Sequence, residues 1–218
     1  EVTSLNNTYP LYNHVHVGAS NIASDGERIY LLDWRNGSIH VHDMDGSLVL
    51  YSYKKGRGPG EYLMADQINY NDELDVIEVL NPTGKILRYT PDSLKFISGV
   101  DFFDSDVRAI HNFYQCGEDY ILYSFSAEDK LWDLNFETAE TESYGYRPPQ
   151  YLFRYISAQA PFFEMDGEPY YYRTYDGLIY GFDKRRHRLF PYIAWDLGRY
   201  QSMLDEIPDD KTVSEYHD

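Results

Sequence analysis

Two histidine pairs are the residues of this sequence whose spacing most directly suggests chemistry. His14 and His16 are separated by one residue, as are His40 and His42. Because side chains alternate along a strand, both imidazoles of a pair would lie on one face, where they can bind a divalent metal ion. A polar strand face opposite a buried valine gives the same pattern and is the commoner arrangement. We therefore expect no metal and no other cofactor here.

A glycine-rich run from Gly56 to Glu61 could present backbone N–H groups to an anion. The residue order of a Walker loop is missing, and no helix is predicted behind the run, so phosphate binding is disfavoured. We expect a connection between strands in which Arg57 and Glu61 are held to the neighbouring backbone. Both residues are also candidates for ligand binding because loops on a rigid scaffold often carry function.

Arginine and tyrosine side chains occupy the other predicted connections. These residue types bind sugars or peptides by stacking and by forked hydrogen bonds. Packing between neighbouring sheets is the competing explanation for each of them. The full set of candidate ligand-binding residues is Arg57, Glu61, Arg108, Arg147, Arg154 and Tyr155.

The sequence contains no pattern that identifies a catalytic centre. The Gly-x-Ser-x-Gly elbow is missing, and Cys116, the single cysteine, has no evident catalytic partner. With 36 acidic residues, a glycosidase-like carboxylate pair cannot be inferred from spacing. Acidic turns such as Asp43 and Asp45 do not match the EF-hand order and suit ordinary turn aspartates. A non-catalytic role is therefore favoured.

Composition restricts the class of partner. The formal net charge of −17 opposes binding to nucleic acid phosphates. No run approaches the roughly 20 apolar residues that a membrane-spanning helix requires. The 23 tyrosines favour half-buried, pleated surfaces and hence a β fold.

A repeat of turn-forming pairs organises the chain. The pairs are Asp25-Gly26, Asn71-Asp72, Gly117-Glu118 and Asp166-Gly167, at spacings of 46, 46 and 49 residues. Each is followed by a β-rich run, such as Arg28–Leu32 or Leu74–Val79, and then by a second turn and strand. In three copies a glycine supplies the residue with positive φ that a tight hairpin favours, whereas Lys130 takes that place in the third copy.

Such a unit is a meander of four antiparallel strands, the size of a β-propeller blade. One meander alone would expose apolar side chains on both faces, so neighbouring blades must cover them. We predict an all-β propeller, a single domain or fragment over residues 1–218, with blades at about 20–53, 66–100, 110–144 and 161–193 and a tail at 194–218. The one helical candidate is Arg199–Glu206.

The run Gly56-Arg57-Gly58-Pro59-Gly60-Glu61-Tyr62, placed just after the first blade, resembles the six-bladed β-propeller proteins that are abundant in Bacteroides-type bacteria. These are similar to NHL-repeat propellers. The resemblance implies export to the periplasm or cell surface, often with a lipid anchor, and a ligand that is unknown for most members.

Length departs from that family, because six blades would need roughly 280 residues. Three explanations remain open at this point, of which the first is favoured. The chain is a fragment of an incomplete six-bladed type, or it closes with four blades, or the tail and the segment from Leu11 to Val17 contribute to another blade. A fragment would expose blade edges able to pair with another chain.

The expected function is that of a non-catalytic module that binds a glycan, a peptide or a protein. The alternative is a propeller hydrolase or lyase acting on a glycan or lactone through carboxylates at the channel mouth, with or without a metal ion.

Overall fold

The computed structural model describes residues 21–103, 107, 109–117, 119–124, 131–146, 161–172 and 178–194. Within these ranges the regular elements are β-strands, and no α-helix occurs. The helical candidate at Arg199–Glu206 lies outside them. The strands form four separate antiparallel sheets of four strands each, in simple sequential order, as predicted for propeller blades.

The chain divides into two compact units, Glu1–Asp104 and Ser105–Asp218. The first unit contains blades 1 and 2, and the second contains blades 3 and 4. The strands of the first unit are β1 Ile22–Ser24, β2 Arg28–Asp33, β3 Ser38–Asp43, β4 Leu48–Tyr53, β5 Gln67–Asn71, β6 Val76–Asn81, β7 Lys85–Tyr89 and β8 Phe96–Asp101. Those of the second unit are β9 Asn112–Cys116, β10 Asp119–Tyr123, β11 Leu131–Asn135, β12 Thr141–Ser143, β13 Phe162–Met165, β14 Glu168–Tyr172, β15 Leu178–Asp183 and β16 Arg188–Ala194.

Asx turns end the second strand of blades 1 and 2. Asp33 Oδ1 accepts hydrogen bonds from the N–H groups of Arg35 and Asn36, and Asn81 Oδ1 accepts one from the N–H of Thr83. The following glycine then has positive φ in both hairpins, +71° at Gly37 and +102° at Gly84, as the sequence predicted. Side-chain acceptors and glycine together fix these turns.

The second blade starts its second strand later than expected. We predicted a strand from Leu74, but the turn continues through Asp75, whose φ is +51°, and β6 begins at Val76. The cause is local, because Asn71 Oδ1 accepts a hydrogen bond from the N–H of Leu74 and holds that residue in the turn.

The core of the first unit lies between blades 1 and 2. Alternate residues of β2 and β3 point to the same side, where they meet the corresponding residues of β5, β6 and β7. The fully or almost fully buried members of this cluster include Tyr30, Leu32, Ile39, Val41, Tyr62, Ile68, Ile77, Val79 and Tyr89. Each blade thereby shields the apolar face of the other, which is the physical reason for the repeat.

The core of the second unit is more aromatic. Its buried residues are Ile121, Tyr123, Leu131, Tyr144 and Tyr171, with Tyr146, Phe162, Tyr180 and Phe182 packed against them. Polar contacts between described residues also join blades 3 and 4. The Tyr114 hydroxyl donates to Glu164 Oε2 at 2.7 Å, Lys184 Nζ donates to the Cys116 carbonyl at 3.3 Å, and His187 Nδ1 lies 3.0 Å from Glu142 Oε1.

Candidate functional site

The connection from β4 to β5, residues 54–66, folds back on itself. The Tyr62 N–H donates to the Lys54 carbonyl at 3.0 Å, and the Gly56 N–H donates to the Tyr62 carbonyl at 3.1 Å. Lys55 and Tyr62 accordingly form an isolated parallel bridge. The glycine-rich run is therefore a closed loop with a defined backbone, which we call the Gly56–Glu61 loop.

Glu61 closes this loop through its carboxylate. Its Oε2 accepts the N–H of Gly58 at 2.7 Å, and its own N–H donates to the Gly58 carbonyl at 3.0 Å. A Cβ atom on Gly56 would collide with the same carboxylate, so a larger residue there would displace the Glu61 side chain. Glu61 is thus held to the neighbouring backbone, as expected from the sequence.

Arg57 behaves differently from the prediction. We expected it to be held to the neighbouring backbone, but its side chain is exposed and makes no hydrogen bond or ion pair with any residue that the structure describes. The carboxylate of the same loop, Glu61, accepts the N–H of Gly58 instead. The loop therefore presents an unneutralised guanidinium to solvent.

Contacts with blade 2 hold the loop in position. The buried Tyr89 hydroxyl donates to the Gly60 carbonyl at 3.0 Å, and Lys54 Nζ donates to the Leu94 carbonyl at 2.8 Å while lying 5.2 Å from the Tyr89 ring centre. Gly60 has a φ of +72°, and a Cβ there would lie 2.5 Å from Cβ of Phe96. These contacts restrict movement of the loop relative to blade 2.

Two polar side chains of the connection are strongly affected by burial. Tyr62 is 1% exposed, its hydroxyl has no hydrogen-bond partner among the described residues, and burial raises its pKa far above the ordinary value. Burial also raises the pKa of Asp66 to about 6. Asp66 is thus a carboxyl group whose proton can exchange near neutrality, a property often seen at functional sites.

The β2–β3 turn lies directly beside this connection. The Lys54 N–H donates to the Gly37 carbonyl at 3.0 Å, and a Cβ on Gly37 would come within 2.9 Å of Cβ of Lys55. The same turn carries Trp34, 46% exposed, with the Arg35 guanidinium 5.6 Å from its ring centre. Turn and connection together form one surface, which we call the connection surface of unit 1.

Sequence reasoning identified only part of this surface. Arg57 and Glu61 were predicted, whereas Trp34, Arg35 and Lys55 were not. An Asp-Trp-Arg-Asn-Gly turn directly after a buried strand was the available signal, because a tryptophan in a tight turn has little room to enter the core. The other predicted residues, Arg108, Arg147, Arg154 and Tyr155, lie outside the described residues.

The histidine pair of β3 lies on the face opposite Val41, which is fully buried. Ser38 Oγ is 3.1 Å from His40 Nε2, and His42 Nδ1 donates to the Gly46 carbonyl at 3.1 Å. Burial lowers the pKa of His40 and favours its neutral form. His14 and His16 lie outside the described residues.

The described residues contain neither a metal-binding cluster nor a membrane-spanning helix. None of the described residues forms a group of three or more histidine, cysteine, aspartate or glutamate side chains able to hold a metal ion. Over the same ranges, no helix has the length and apolar character needed to cross a bilayer.

Comparison with solved structures shows fold similarity at low sequence identity. A Bacteroides fragilis protein assigned as exported is 15% identical, with a TM-score of 0.60 over 83% of this chain and 53% of that one. The dihydro-heme d1 dehydrogenase NirN, solved in complex with DHE, is 13% identical, with a TM-score of 0.56 over 80% of this chain and 38% of its own. This chain therefore spans about half the length of the first protein and less of the second.

Sequence comparison gives the family. No curated protein matches the sequence. The family DUF5128, described as a 6-bladed beta-propeller, matches residues 14–216. That match covers nearly the whole chain, and the described residues form four-stranded antiparallel blades. The chain therefore belongs to the DUF5128 family of 6-bladed beta-propellers.

Proposed function

We propose that this chain is a non-catalytic module that binds a glycan, peptide or protein ligand, and that the ligand contacts the connection surface of unit 1. The observation that carries the proposal is the exposed, unpaired guanidinium of Arg57 on a loop whose backbone is fixed by Glu61 and by blade 2. A loop whose backbone is already held loses little backbone conformational entropy when it binds, so the backbone at Arg57 is well suited to recognition.

The engagement of the nearby carboxylates supports binding over catalysis. Asp33 bonds to its own turn, Glu61 bonds to its own loop, and Asp101 pairs with Lys85 at 2.7 Å. A carboxylate pair for glycoside hydrolysis needs one group free as an acid and a second free as a base or nucleophile. These three groups already hold structure together and do not supply that second group.

One observation favours the alternative of a hydrolase or lyase. Asp66, with its pKa raised to about 6 by burial, could act as a general acid near neutral pH. Asp66→Asn distinguishes the two functions. A hydrolase acting through Asp66 loses turnover of a glycan or lactone substrate, whereas a binding module keeps its ligand affinity.

The proposal is tested by screening the purified chain against glycan and peptide arrays and measuring affinity for each hit. Arg57→Ala is expected to weaken binding about tenfold, the loss of roughly 1.4 kcal/mol. Arg185→Ala is the matched control, because Arg185 is also an exposed arginine but lies in the β15–β16 turn of the second unit. Equal affinities of Arg57→Ala and the unaltered chain would overturn the proposal.

The location of the protein is also part of the proposal. We place it in the periplasm or at the cell surface, held by a lipid anchor, on the basis of the family and of the exported Bacteroides fragilis protein with a similar fold. Fractionation of cells that express the natural reading frame, with a radiolabelled fatty acid, tests both points. Recovery of unlabelled protein in the cytoplasm would refute them.

A further inference from the structure

The last strand of blade 1, β4, has one open edge. Among the described strands it pairs with β3 alone. Just after β4, Lys54 donates its N–H to the Gly37 carbonyl, and its C=O accepts the Tyr62 N–H. Both groups of one residue point to the same edge of a strand, and the edge alternates with each residue. The N–H and C=O groups of Tyr51 and Tyr53 therefore point away from β3, where no described residue bonds to them.

The corresponding strand of blade 2 carries residues that discourage pairing. The β7–β8 register repeats that of β3 and β4, so Gly99 and Asp101 occupy the positions of Tyr51 and Tyr53. A glycine weakens a strand, and a charged side chain on an edge disfavours pairing with another chain. Blade 2 thus has at its edge the protection that blade 1 lacks.

The last strands of the other two blades are protected as well. The strand β12 is three residues long and contains Glu142, and β16 contains Pro191 and Arg188. In contrast, β4 reads Leu-Val-Leu-Tyr-Ser-Tyr, without a charged residue, a proline or a glycine. An uncharged edge strand of high β propensity is the type to which another strand adds.

A second copy of β4 matches this edge geometrically. A two-fold axis perpendicular to the sheet makes the two strands antiparallel and keeps the apolar faces of both copies on one side. In the register that uses both outward-facing tyrosines, Tyr51 of each copy lies opposite Tyr53 of the other, and each such pair can exchange two backbone hydrogen bonds. Ser52 then lies on the axis, opposite Ser52 of the second copy.

The charges at the ends of β4 favour the same partner. Asp43 and Asp45 precede the strand, whereas residues 54–61, which follow it, contain three cations and one carboxylate. Antiparallel pairing brings the acidic end of each copy towards the basic end of the other, even with every carboxylate counted as charged. Two copies of a chain with a net charge of −17 repel each other on average, so an uncharged strand with complementary ends suits their contact.

We infer that the chain forms a symmetric dimer in which the free edge of β4 pairs with β4 of a second copy, so that two blades join into one continuous sheet. The inference does not depend on the proposed function, because the contact consists mainly of backbone groups of β4. It adds an interaction surface and assigns its partner.

Sedimentation velocity of the full chain over a wide concentration range tests the dimer. Tyr53→Asp gives β4 the carboxylate that β8 carries at the same position, and it should raise the dissociation constant at least about tenfold. Ile97→Asp is the matched control, because Ile97 is similarly exposed, 49% against 59% for Tyr53, but lies on β8. This control should dimerise like the unaltered chain, and circular dichroism checks that both variants are folded.

Cross-linking tests the register and does not require a charge on the strand. Directly opposed residues of a non-hydrogen-bonded antiparallel pair have Cα atoms about 4.5 Å apart, within the range of a disulfide. Ser52→Cys, combined with Cys116→Ser, should therefore form a covalent dimer on mild oxidation. Ser98→Cys with Cys116→Ser is the control, because Ser98 is also half-buried but lies on β8, and it should remain monomeric under denaturing conditions.

Three outcomes would overturn the inference. The first is a chain that stays monomeric at every concentration. The second is a dimer that Tyr53→Asp does not weaken and Ser52→Cys does not cross-link, because its interface would lie elsewhere. The third is a monomeric chain that binds a labelled peptide with the sequence of residues 46–55, since the edge would then accept a strand of another protein. If Tyr53→Asp does not fold, the cross-linking result decides.

Discussion

The two blade pairs solve the same packing problem with different contacts. Between blades 1 and 2, side-chain donors reach backbone carbonyls: Tyr89 bonds to Gly60, Lys54 to Leu94, and Asn21 to Asp66. Between blades 3 and 4, the contacts of Tyr114 and His187 end on the carboxylates of Glu164 and Glu142. The acceptors between the first two blades are thus carbonyls, which do not titrate, whereas those between the second two include carboxylates, which do.

The cores of the two blade pairs also differ in residue type. The first pair buries mainly aliphatic side chains such as Leu32, Ile39 and Val79, with a few tyrosines. The second is dominated by rings, with Tyr171 lying 5.5 Å from Tyr146 and 5.9 Å from Tyr123. Tyrosine carries a hydroxyl that needs a partner when buried, so an aromatic interface brings polar contacts with it. The repeat therefore requires that a neighbouring blade bury the apolar face of each blade, but it does not fix which residue types do so.

The largest expected effect comes from removing an aliphatic anchor of the first pair. Ile77 is fully buried in its core, so Ile77→Ala should lower the free energy of unfolding by about 2–5 kcal/mol. Leu131→Ala does the same in the second pair, where Leu131 is also fully buried. Urea denaturation measures both. If the pairs unfold independently, each variant will shift only one of two transitions, and a shared shift would show that they unfold as one.

A smaller effect is expected when the loop of the first pair is disturbed. Gly60→Ala forces a residue with φ of +72° against Phe96 and should cost about 2–3 kcal/mol. Gly26→Ala is the matched control, because Gly26 has φ of +89° but open space around its Cβ position, and should cost about 1 kcal/mol. Equal losses in thermal denaturation would show that the Gly56–Glu61 loop does not stabilise the pair.

The turns of blades 1 and 2 show what a sequence can predict. Gly37 and Gly84 were placed correctly because a hairpin needs positive φ at a fixed distance from a strand end, which is local information. Leu74 was placed wrongly because a side-chain acceptor three residues earlier extended the turn. The exposure of Trp34 and the unpaired state of Arg57 depend on contacts between the β2–β3 turn, the connection and blade 2. Contacts between segments that are distant in sequence leave no periodic pattern in the residue types, and so the connection surface was only partly predicted.

Titration of Asp66 gives the next effect in size and tests whether the first pair is wholly insensitive to pH. Burial raises its folded pKa to about 6, whereas an unfolded aspartate titrates near 3.9. Between about pH 4 and 6 the folded state therefore binds more protons than the unfolded state. The free energy of unfolding falls as pH rises through that window, and the loss is complete above it.

Asp66→Asn should remove this decline and leave the variant more stable at neutral pH. The gain is about 1 kcal/mol once solvent screening of a partly exposed side chain is allowed for. Thermal denaturation from pH 4 to 7 measures it. Parallel curves for the two proteins would show that Asp66 has no role in the pH dependence.

The smallest effect concerns the ionic contact of the second pair. His187→Gln removes the contact with Glu142, together with a 3.9 Å approach to Asp133, and should cost no more than about 1 kcal/mol because Glu142 is largely exposed. The difference between His187→Gln and the unaltered protein should shrink in high salt. An unchanged difference would indicate packing of the imidazole against Tyr144, 5.9 Å away between ring centres, as its source.

The freedom of Arg57 has an evolutionary consequence. Since its side chain forms no hydrogen bond or ion pair with the part of the chain that the structure describes, most residues could replace it with little loss of stability. Substitution is more restricted at the neighbouring positions. Side chains already fill the space beside Gly56 and Gly60, and Glu61 accepts a hydrogen bond from the loop backbone. Descendants of this protein could therefore drift from one partner to another through a single codon, while the glycines and the glutamate around it stay constant.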